Sequence, residues 1–292
     1  MSDLAHANGL GDARQTPSDS VTFWRDPGCE GLEAAAARFR NHSFKPHTHD
    51  GLMIGLIDTG AKSFMRERRR FIAEPGSISI VNAGDLHTGS RAEGEQLRYR
   101  ALYIPISVLS DVAGAEGSGA APGFRSGVLH DRRVFAALGR MHASIVGGTS
   151  RLRREDVRFE AVRALARGHG SSWKPRDQSI AEASRQVRAA YAMIRARFTE
   201  NLSVFDIAAA VHVSPYHLMR QFRRHVGIPM HTLQTQLRVQ LARTLLQQGL
   251  PASQAALDAG FADQSHLSKR FKELVGTSPV HYQRNASASS FT

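Results

Sequence analysis

Two stretches late in the chain place basic and amide side chains on repeated helical faces. Residues 214–227 and 263–276 match position by position, with His217 and Phe222 recurring 49 residues later as His266 and Phe271. The same offset relates Leu218 to Leu267, Val226 to Val275 and Gly227 to Gly276. Five coincidences at one offset indicate two copies of one structural unit. In each copy apolar residues recur every three or four positions, so one helix face packs and the other is polar. The residues expected to be buried are Leu218, Phe222 and Val226 in the first copy and Leu267, Phe271 and Leu274 in the second.

The polar faces carry side chains that suit the major groove of DNA. They are Tyr216, Met219, Arg220 and Arg223 in the first copy, and Ser265, Ser268, Lys269 and Lys272 in the second. Arginine and lysine bond guanine edges, whereas Met219 can offer only an apolar contact, for instance to a thymine methyl. Arg223, Arg224 and Lys272 lie farther along their helices, where we expect them to contact phosphates. A basic helix face is also commonly just solvated, but its duplication favours double-stranded DNA as the partner.

Each copy is built as a helix-turn-helix. A short apolar helix over 204–211 or 252–259 is followed by a turn and a second helix, with Ser214 and Asp263 as expected N-caps and Pro215 as a first helical residue. Residues 232–247 predict a joining helix about 24 Å long at 1.5 Å per residue. That length would let the two second helices enter successive major grooves, about 34 Å apart.

The first half of the chain has strand signals instead. Residues 21–106 contain apolar and alternating runs separated by turn residues, which predicts an antiparallel β-domain. Arg66, Arg68, Arg98 and Arg100 alternate along these strands; they could bind a carboxylate, but an exposed basic strand edge is the favoured interpretation.

Helices follow the β-domain. After a flexible loop expected over 112–127, the period predicts helices over 131–146 and 152–165. They either cover the β-domain or leave an apolar stripe for a second subunit.

Length and charge agree with this division. The chain has 292 residues, 41% of them hydrophobic, which suits two domains, and its net charge is +12. Residues 178–292 alone carry a net +7, so the densest positive charge lies in the repeated region. Cys29 is the single cysteine, which excludes an intrachain disulfide and multi-cysteine metal centres. No apolar run is long enough for a membrane helix and the first residues are polar, so we expect a cytoplasmic protein that does not contact the membrane.

The repeated region resembles the AraC/XylS family of bacterial transcription regulators over about residues 180–284. The motifs that carry the resemblance are LSVFDIAAAVHVSPYHLMRQFRRHVGIP and AALDAGFADQSHLSKRFKELVGTSPVHYQR. It implies groove-facing positions at Tyr216, Met219 and Arg220, and at Gln264, Ser265, Ser268 and Lys269. His212 stands where the family usually has a turn glycine, and a left-handed conformation there costs a non-glycine residue roughly 1 kcal/mol or more.

Residues 35–110 resemble the cupin-type effector domain of such regulators, through Pro46-His47-Thr48-His49-Asp50 and the stretch from Gly76 to His87. Cupin enzymes hold a divalent metal with such histidines and a glutamate, but residues 51–56, GLMIGL, lack the glutamate. We therefore assign His47, His49 and His87 to a small polar effector, with no metal and no cofactor. Metal binding by the three histidines and a purely structural role are the alternatives.

These observations predict an α+β protein of two domains, a cupin-like antiparallel β-barrel with trailing helices and an all-α domain with two helix-turn-helix units joined by a long helix. The expected boundaries are a disordered stretch 1–20, the effector and dimerisation domain 21–167, a linker 168–178, the DNA-binding domain 179–285 and a tail 286–292. The predicted function is an effector-responsive transcription activator, not an enzyme, that acts as a homodimer and has RNA polymerase as a further partner. The alternative is a cupin oxygenase or isomerase fused to a DNA-binding tail.

Overall fold

A computed structural model describes residues 19–66, 69–92, 96–117, 120–171, 180 and 183–288. Most of the predicted N-terminal stretch, Arg68, residues 172–178 of the predicted linker and residues 289–292 of the predicted tail lie outside the described residues.

The first domain is a β-barrel of two facing sheets. A six-stranded sheet has the order β1-β2-β9-β4-β7-β10 and a four-stranded sheet the order β3-β8-β5-β6, and the strand pairs of the described residues are all antiparallel. The strands are β1 Ser20–Arg25, β2 Glu33–Phe39, β3 Ser43–His47, β4 Leu52–Thr59, β5 Lys62–Arg66, β6 Arg69–Ala73, β7 Ile78–Val81, β8 His87–Arg91, β9 Leu97–Ile104 and β10 Val128–Leu129.

Strand β4 shows why its sequence is apolar without alternation. It lies between β9 and β7, and both of its faces are buried. Met53 and Ile57 point toward the barrel interior, while Ile54 and Leu56 point toward the helices that cover the sheet. A strand buried on both faces needs an unbroken apolar run.

Three helices cover the outer face of the larger sheet: α1 Ile106–Ala115, α2 Arg132–Val146 and α3 Arg151–His169. The helices predicted over 131–146 and 152–165 are confirmed, and Asp131 caps α2 by accepting hydrogen bonds from the backbone of Arg133 and Val134. The flexible loop expected over 112–127 is wrong at its start, because residues 112–115 end α1. Val108, Leu109 and Val112 give that helix a buried stripe that the small residues after it obscure.

The second domain is helical. Its helices are α4 Arg185–Arg197, α5 Val204–Ala210, α6 Pro215–Val226, α7 Met230–Gln247, α8 Ala252–Asp258, α9 Gln264–Val275 and α10 Pro279–Ala288. We call α5–α6 unit one and α8–α9 unit two. The joining helix α7 has 18 residues, about 27 Å at 1.5 Å per residue. The predicted two-domain fold is confirmed. None of the helices in the described part has the length and apolar character needed to cross a membrane.

The two units are buried differently. Unit one packs with α4 and the start of α7 in a core of its own, which Leu86 of the barrel also touches. The core of unit two is continuous with the barrel interior. Phe271 and Val275 of α9, together with Tyr282 of α10, belong to the same cluster as Phe23 and Phe39 of the barrel. The barrel and unit two therefore bury one apolar interior.

Candidate nucleic-acid interface and effector site

The second helix of each unit begins and ends at residues that fix its direction. The Ser214 hydroxyl accepts a hydrogen bond from the His217 N–H at 3.3 Å, and the Asp263 carboxylate accepts one from the His266 N–H at 2.7 Å. Gly227 and Gly276 end the two helices in the left-handed conformation. The predicted caps are confirmed, and both N-cap residues have an extended backbone.

One face of each helix is buried, as the repeat predicts. Leu218, Phe222 and Val226 are buried in α6, and Leu267, Phe271 and Val275 are buried in α9. We expected Leu274 to be buried with Leu267 and Phe271, but Leu274 is only partly buried. Val275, at the 49-residue offset from Val226, takes that place because the second copy repeats the geometry of the first.

The opposite faces are open to solvent. Tyr216 is 72% exposed and Met219 is 45% exposed, with the Arg220 guanidinium 5.9 Å from the centre of the Tyr216 ring. Ser268 is partly exposed. The other predicted DNA contacts, all exposed, are Arg220, Arg223, Arg224, Gln264, Ser265, Lys269 and Lys272. In the part of the chain that the structure describes, none of the five basic residues among them forms an ion pair, which leaves their charges available to a polyanion.

In the turn before each of these helices, the second residue after the preceding helix is left-handed, but its type differs between the units. His212 in unit one has a φ of 55°, and the equivalent position in unit two is Gly260 with a φ of 82°. The left-handed conformation expected of His212 is confirmed. A Cβ at Gly260 would lie 2.3 Å from the Thr199 carbonyl oxygen, so that position also has no room for a side chain.

The three candidate histidines converge at one end of the barrel. His47 ends β3, and His87 begins β8 directly opposite it in the strand register. His49 follows two residues after His47, and the ring centres are 4.2 Å apart for His47 and His87 and 4.8 Å apart for the other two pairs. The structure brings all three predicted side chains together.

Burial keeps these rings neutral, and their hydrogen bonds to backbone carbonyl oxygens fix the tautomer. The His47 Nδ1 lies 2.7 Å from the Lys45 carbonyl oxygen, and the His87 Nδ1 lies 3.2 Å from the Asp85 carbonyl oxygen, so both nitrogens are donors. Burial lowers the pKa of His47 to about 4, and it lowers the pKa of His49 and His87 well below the usual range. All three rings are therefore uncharged near neutral pH.

A cleft of about 560 Å³ opens beside the histidines, between the barrel and helix α7. His47, His49 and Tyr103 line its barrel side, while Gln236 and Arg243 line its helix side. Its size is that of a small-molecule site, and such sites commonly lie between domains.

A buried polar network, missed in the sequence, closes one side of this cleft. Glu33 on β2 pairs with Arg243 and accepts a hydrogen bond from the Tyr282 hydroxyl. Gln247 donates to Glu33 at 2.8 Å, and burial raises the pKa of Tyr282 to about 12, so its hydroxyl stays a donor. The signal available was a single glutamate at the head of the apolar run EAAAARF.

The interpretation of the strand arginines as an exposed basic edge is wrong for Arg66. Its side chain is buried and its Nε lies 2.8 Å from the Asp85 carboxylate. Asp85 also accepts a hydrogen bond from the Asn82 side chain at 3.0 Å. This network holds the loop that leads into His87. Arg100 pairs with Asp58 at 2.9 Å, while Arg98 is exposed.

Two family models match this arrangement. The model of the AraC-like ligand binding domain covers residues 31–166, and that of a helix-turn-helix domain covers residues 207–285. The transcriptional activator AarP of Providencia stuartii is 34% identical over 91 residues, which are 31% of this chain and 67% of that protein. The chain belongs to the AraC family of transcription regulators.

Longer likenesses agree with this membership. The regulator YbfI of Bacillus subtilis is 29% identical over 253 residues, 86% of this chain and 90% of YbfI. The crystal structure of ToxT from Vibrio cholerae has a TM-score of 0.55 at 14% identity, covers 88% of this chain and all of that one, and so shares the fold. This member of the AraC family is a DNA-binding regulator with an N-terminal ligand-binding domain, and the enzyme alternative is not favoured.

Proposed function

We propose that this AraC-family regulator reads a bipartite DNA site with the exposed faces of α6 and α9. Tyr216, Met219 and Arg220 of unit one contact bases, as do Gln264, Ser265, Ser268 and Lys269 of unit two. Arg223, Arg224 and Lys272 contact phosphates. The observation that carries the proposal is a pair of side-chain-capped helices with exposed basic residues that lack ion-pair partners in the described part of the chain, namely Arg220, Arg223, Arg224, Lys269 and Lys272.

The effector site is the cleft beside His47, His49 and His87. Because the Nδ1 atoms of His47 and His87 donate to backbone carbonyl oxygens, their Nε2 atoms remain as acceptors, while His49 can offer a donor or an acceptor; this set suits a small polar ligand. Lys62 lies close to these rings, and although burial lowers its pKa to about 8, it still carries positive charge near neutral pH, so an effector with an acidic group fits best.

The cleft supports a route from effector to DNA because its two walls belong to different domains. Gln236 of α7 donates to the Pro46 carbonyl oxygen at 3.0 Å, next to His47. Leu86, next to His87, packs against the core of unit one. A ligand that binds more tightly to one spacing of these walls would favour that placement of α7 and of both units.

We propose two further partners, a second copy of this chain and RNA polymerase. Val146 and Leu152, 38% and 70% exposed at the junction of α2 and α3, would contribute to a homodimer contact. We also propose that the protein works in the cytoplasm, where its DNA lies, and activates transcription through RNA polymerase.

The DNA assignment is tested by binding to a site selected from random sequences. Lys269→Ala should relax discrimination at one base position and cost about 1–3 kcal/mol on the preferred site. Arg224→Ala should weaken binding to every sequence alike and reduce the salt slope by about 1. Uniform losses from both variants would contradict the assignment of Lys269 to a base.

The effector assignment is tested separately, by thermal shift of the full chain against a library of small organic acids and sugars. A compound that stabilises the wild type should lose its effect on His47→Asn and keep it on His142→Asn, a change at a buried histidine outside the cluster. Equal shifts for both variants would place the effector elsewhere.

A further inference from the structure

The three histidines form a more complete site than the sequence indicates. Their possible ligand atoms all lie within 4.8 Å of one another, and their ring centres form a nearly equilateral triangle. We propose that His47, His49 and His87 bind one divalent transition-metal ion of the zinc class, with a further coordination position open to the cleft.

The ring orientations suit metal binding. Metal-bound histidines usually donate the N–H of their other ring nitrogen to a carbonyl or carboxylate oxygen, which fixes the tautomer. His47 and His87 do this through Nδ1 to the Lys45 and Asp85 carbonyl oxygens, so Nε2 is the ligand atom of each. Asp85 is itself fixed by the buried Arg66, so a second layer of contacts holds the His87 ligand in place.

The distances require only a small adjustment. Zinc binds histidine nitrogen at about 2.0–2.1 Å, so tetrahedral ligand atoms lie about 3.4 Å apart. His49 supplies the movement because it lies in the loop after β3 and is only partly buried. His47 and His87 lie at paired strand positions, so their backbones are already held opposite each other.

The missing glutamate does not make this donor set incomplete. Three histidines alone hold zinc in known sites that keep a position for water or substrate. Imidazole donors suit Zn²⁺, Cu²⁺, Ni²⁺ and Fe²⁺, while the absence of a carboxylate donor disfavours Mg²⁺ and Ca²⁺. The sequence favoured a metal-free site because the glutamate is missing, whereas the convergence of the three rings exists only in the folded barrel.

Charge near the site selects the additional ligand. An imidazole must be neutral to donate its lone pair to a metal, so the three ligands add no charge to the ion. Arg243 is paired with Glu33, and Lys62 is buried close to His87. The ion would therefore keep its full charge and favour an anion, such as a carboxylate, at the open position. This last step rests on the proposed effector site; metal binding itself does not.

The test is metal titration of the full chain after treatment with a chelator. Co²⁺ should bind at one equivalent per chain and give visible absorption bands of a low-coordinate site, and one equivalent of Zn²⁺ should abolish them. His49→Asn should lower the affinity by more than the roughly 10–100-fold that loss of an outer-shell partner costs. His142→Asn, the control at a buried histidine, should bind as the wild type does.

Two checks keep the result decisive. Thermal unfolding without metal establishes that each variant is folded, and X-ray absorption of the wild-type Co²⁺ protein counts imidazole ligands without any substitution, with three expected. Absence of stoichiometric binding, fewer than three imidazoles, or equal affinity of His49→Asn and His142→Asn would overturn the proposal. Since neither DNA nor effector is present, such a failure leaves the proposed function standing, and a failed effector screen leaves the metal site standing.

Discussion

Units one and two share a sequence pattern but have different surroundings. Both have a capped second helix, a left-handed glycine at its end and the same buried leucine, phenylalanine and valine positions. Unit one completes its own core with α4, whereas unit two shares the interior of the barrel. The repeat therefore specifies the shape of each unit, and the residues outside the repeat decide which unit is tied to the ligand-binding domain.

The largest expected difference concerns the paired phenylalanines. Phe271→Ala and Phe222→Ala should each cost about 3–5 kcal/mol, because both rings are fully buried. Phe271→Ala should also weaken protection of β1 and β2 in hydrogen-exchange mass spectrometry, whereas Phe222→Ala should affect mainly α4–α6. Equal loss of protection in β1 and β2 for both variants would remove the distinction between the units.

The next effect concerns the polar contact that joins α7 and α10, the helices on either side of unit two, to the barrel. Glu33→Gln leaves Arg243 without its carboxylate and should cost about 3 kcal/mol, measured by denaturant unfolding. Asp58→Asn is the matched control, since its pair with Arg100 is partly exposed and should be worth about 1 kcal/mol or less. If Glu33→Gln were as mild as the control, the network would not hold α7 and α10 against the barrel.

The turn positions should respond with opposite sign. Gly260→Ala places a Cβ against the Thr199 carbonyl oxygen at positive φ and should cost more than about 1 kcal/mol. His212→Gly relieves a strained residue, and after the entropy of glycine is subtracted the gain should be about 0.5 kcal/mol. Thermal midpoints of the two variants check this, and a loss of stability in His212→Gly would show that its side chain contributes to the fold.

The smallest expected loss of stability concerns an exposed ion pair at the edge of the contact between the barrel and unit two. Lys45 of β3 pairs with Glu273 of α9 at 3.0 Å, but Lys45 is 61% exposed. Lys45→Ala should therefore cost about 0.5 kcal/mol, less at high salt, while Lys45→Arg should change little. A cost above about 2 kcal/mol in denaturant unfolding would mean that this rim pair, and not the shared interior, binds unit two to the barrel.

The sequence was sufficient for features that depend on local pattern. The caps at Ser214 and Asp263 and the helix across 232–247 follow from residue type and spacing, and all are confirmed. The left-handed His212, which the family resemblance implied, is also confirmed. The three histidines were found through the resemblance to the cupin motifs, and the structure brings them together.

Features that depend on long-range contact were not predictable. In the sequence, Arg66 is indistinguishable from the other strand arginines. Only the fold places it next to Asp85, nineteen positions away, in a buried ion pair. The pairing of Glu33 with Arg243 and Tyr282 joins residues more than 200 positions apart, and nothing in either neighbourhood indicates the other. The short helix α1 was missed because its stripe is only two turns long and small residues follow it.

The continuous interior of the barrel and unit two limits how this regulator can be recombined. A chimera that joined another sensor to residues 183–288 would expose the apolar surface of α9 and α10 that β1, β2 and β3 now cover, with Tyr282 and Gly276 at its centre. Such a fusion should aggregate unless the new sensor brings a matching surface. The ligand-binding domain and the DNA-binding domain of this chain can therefore be exchanged only together with the apolar surface that they share.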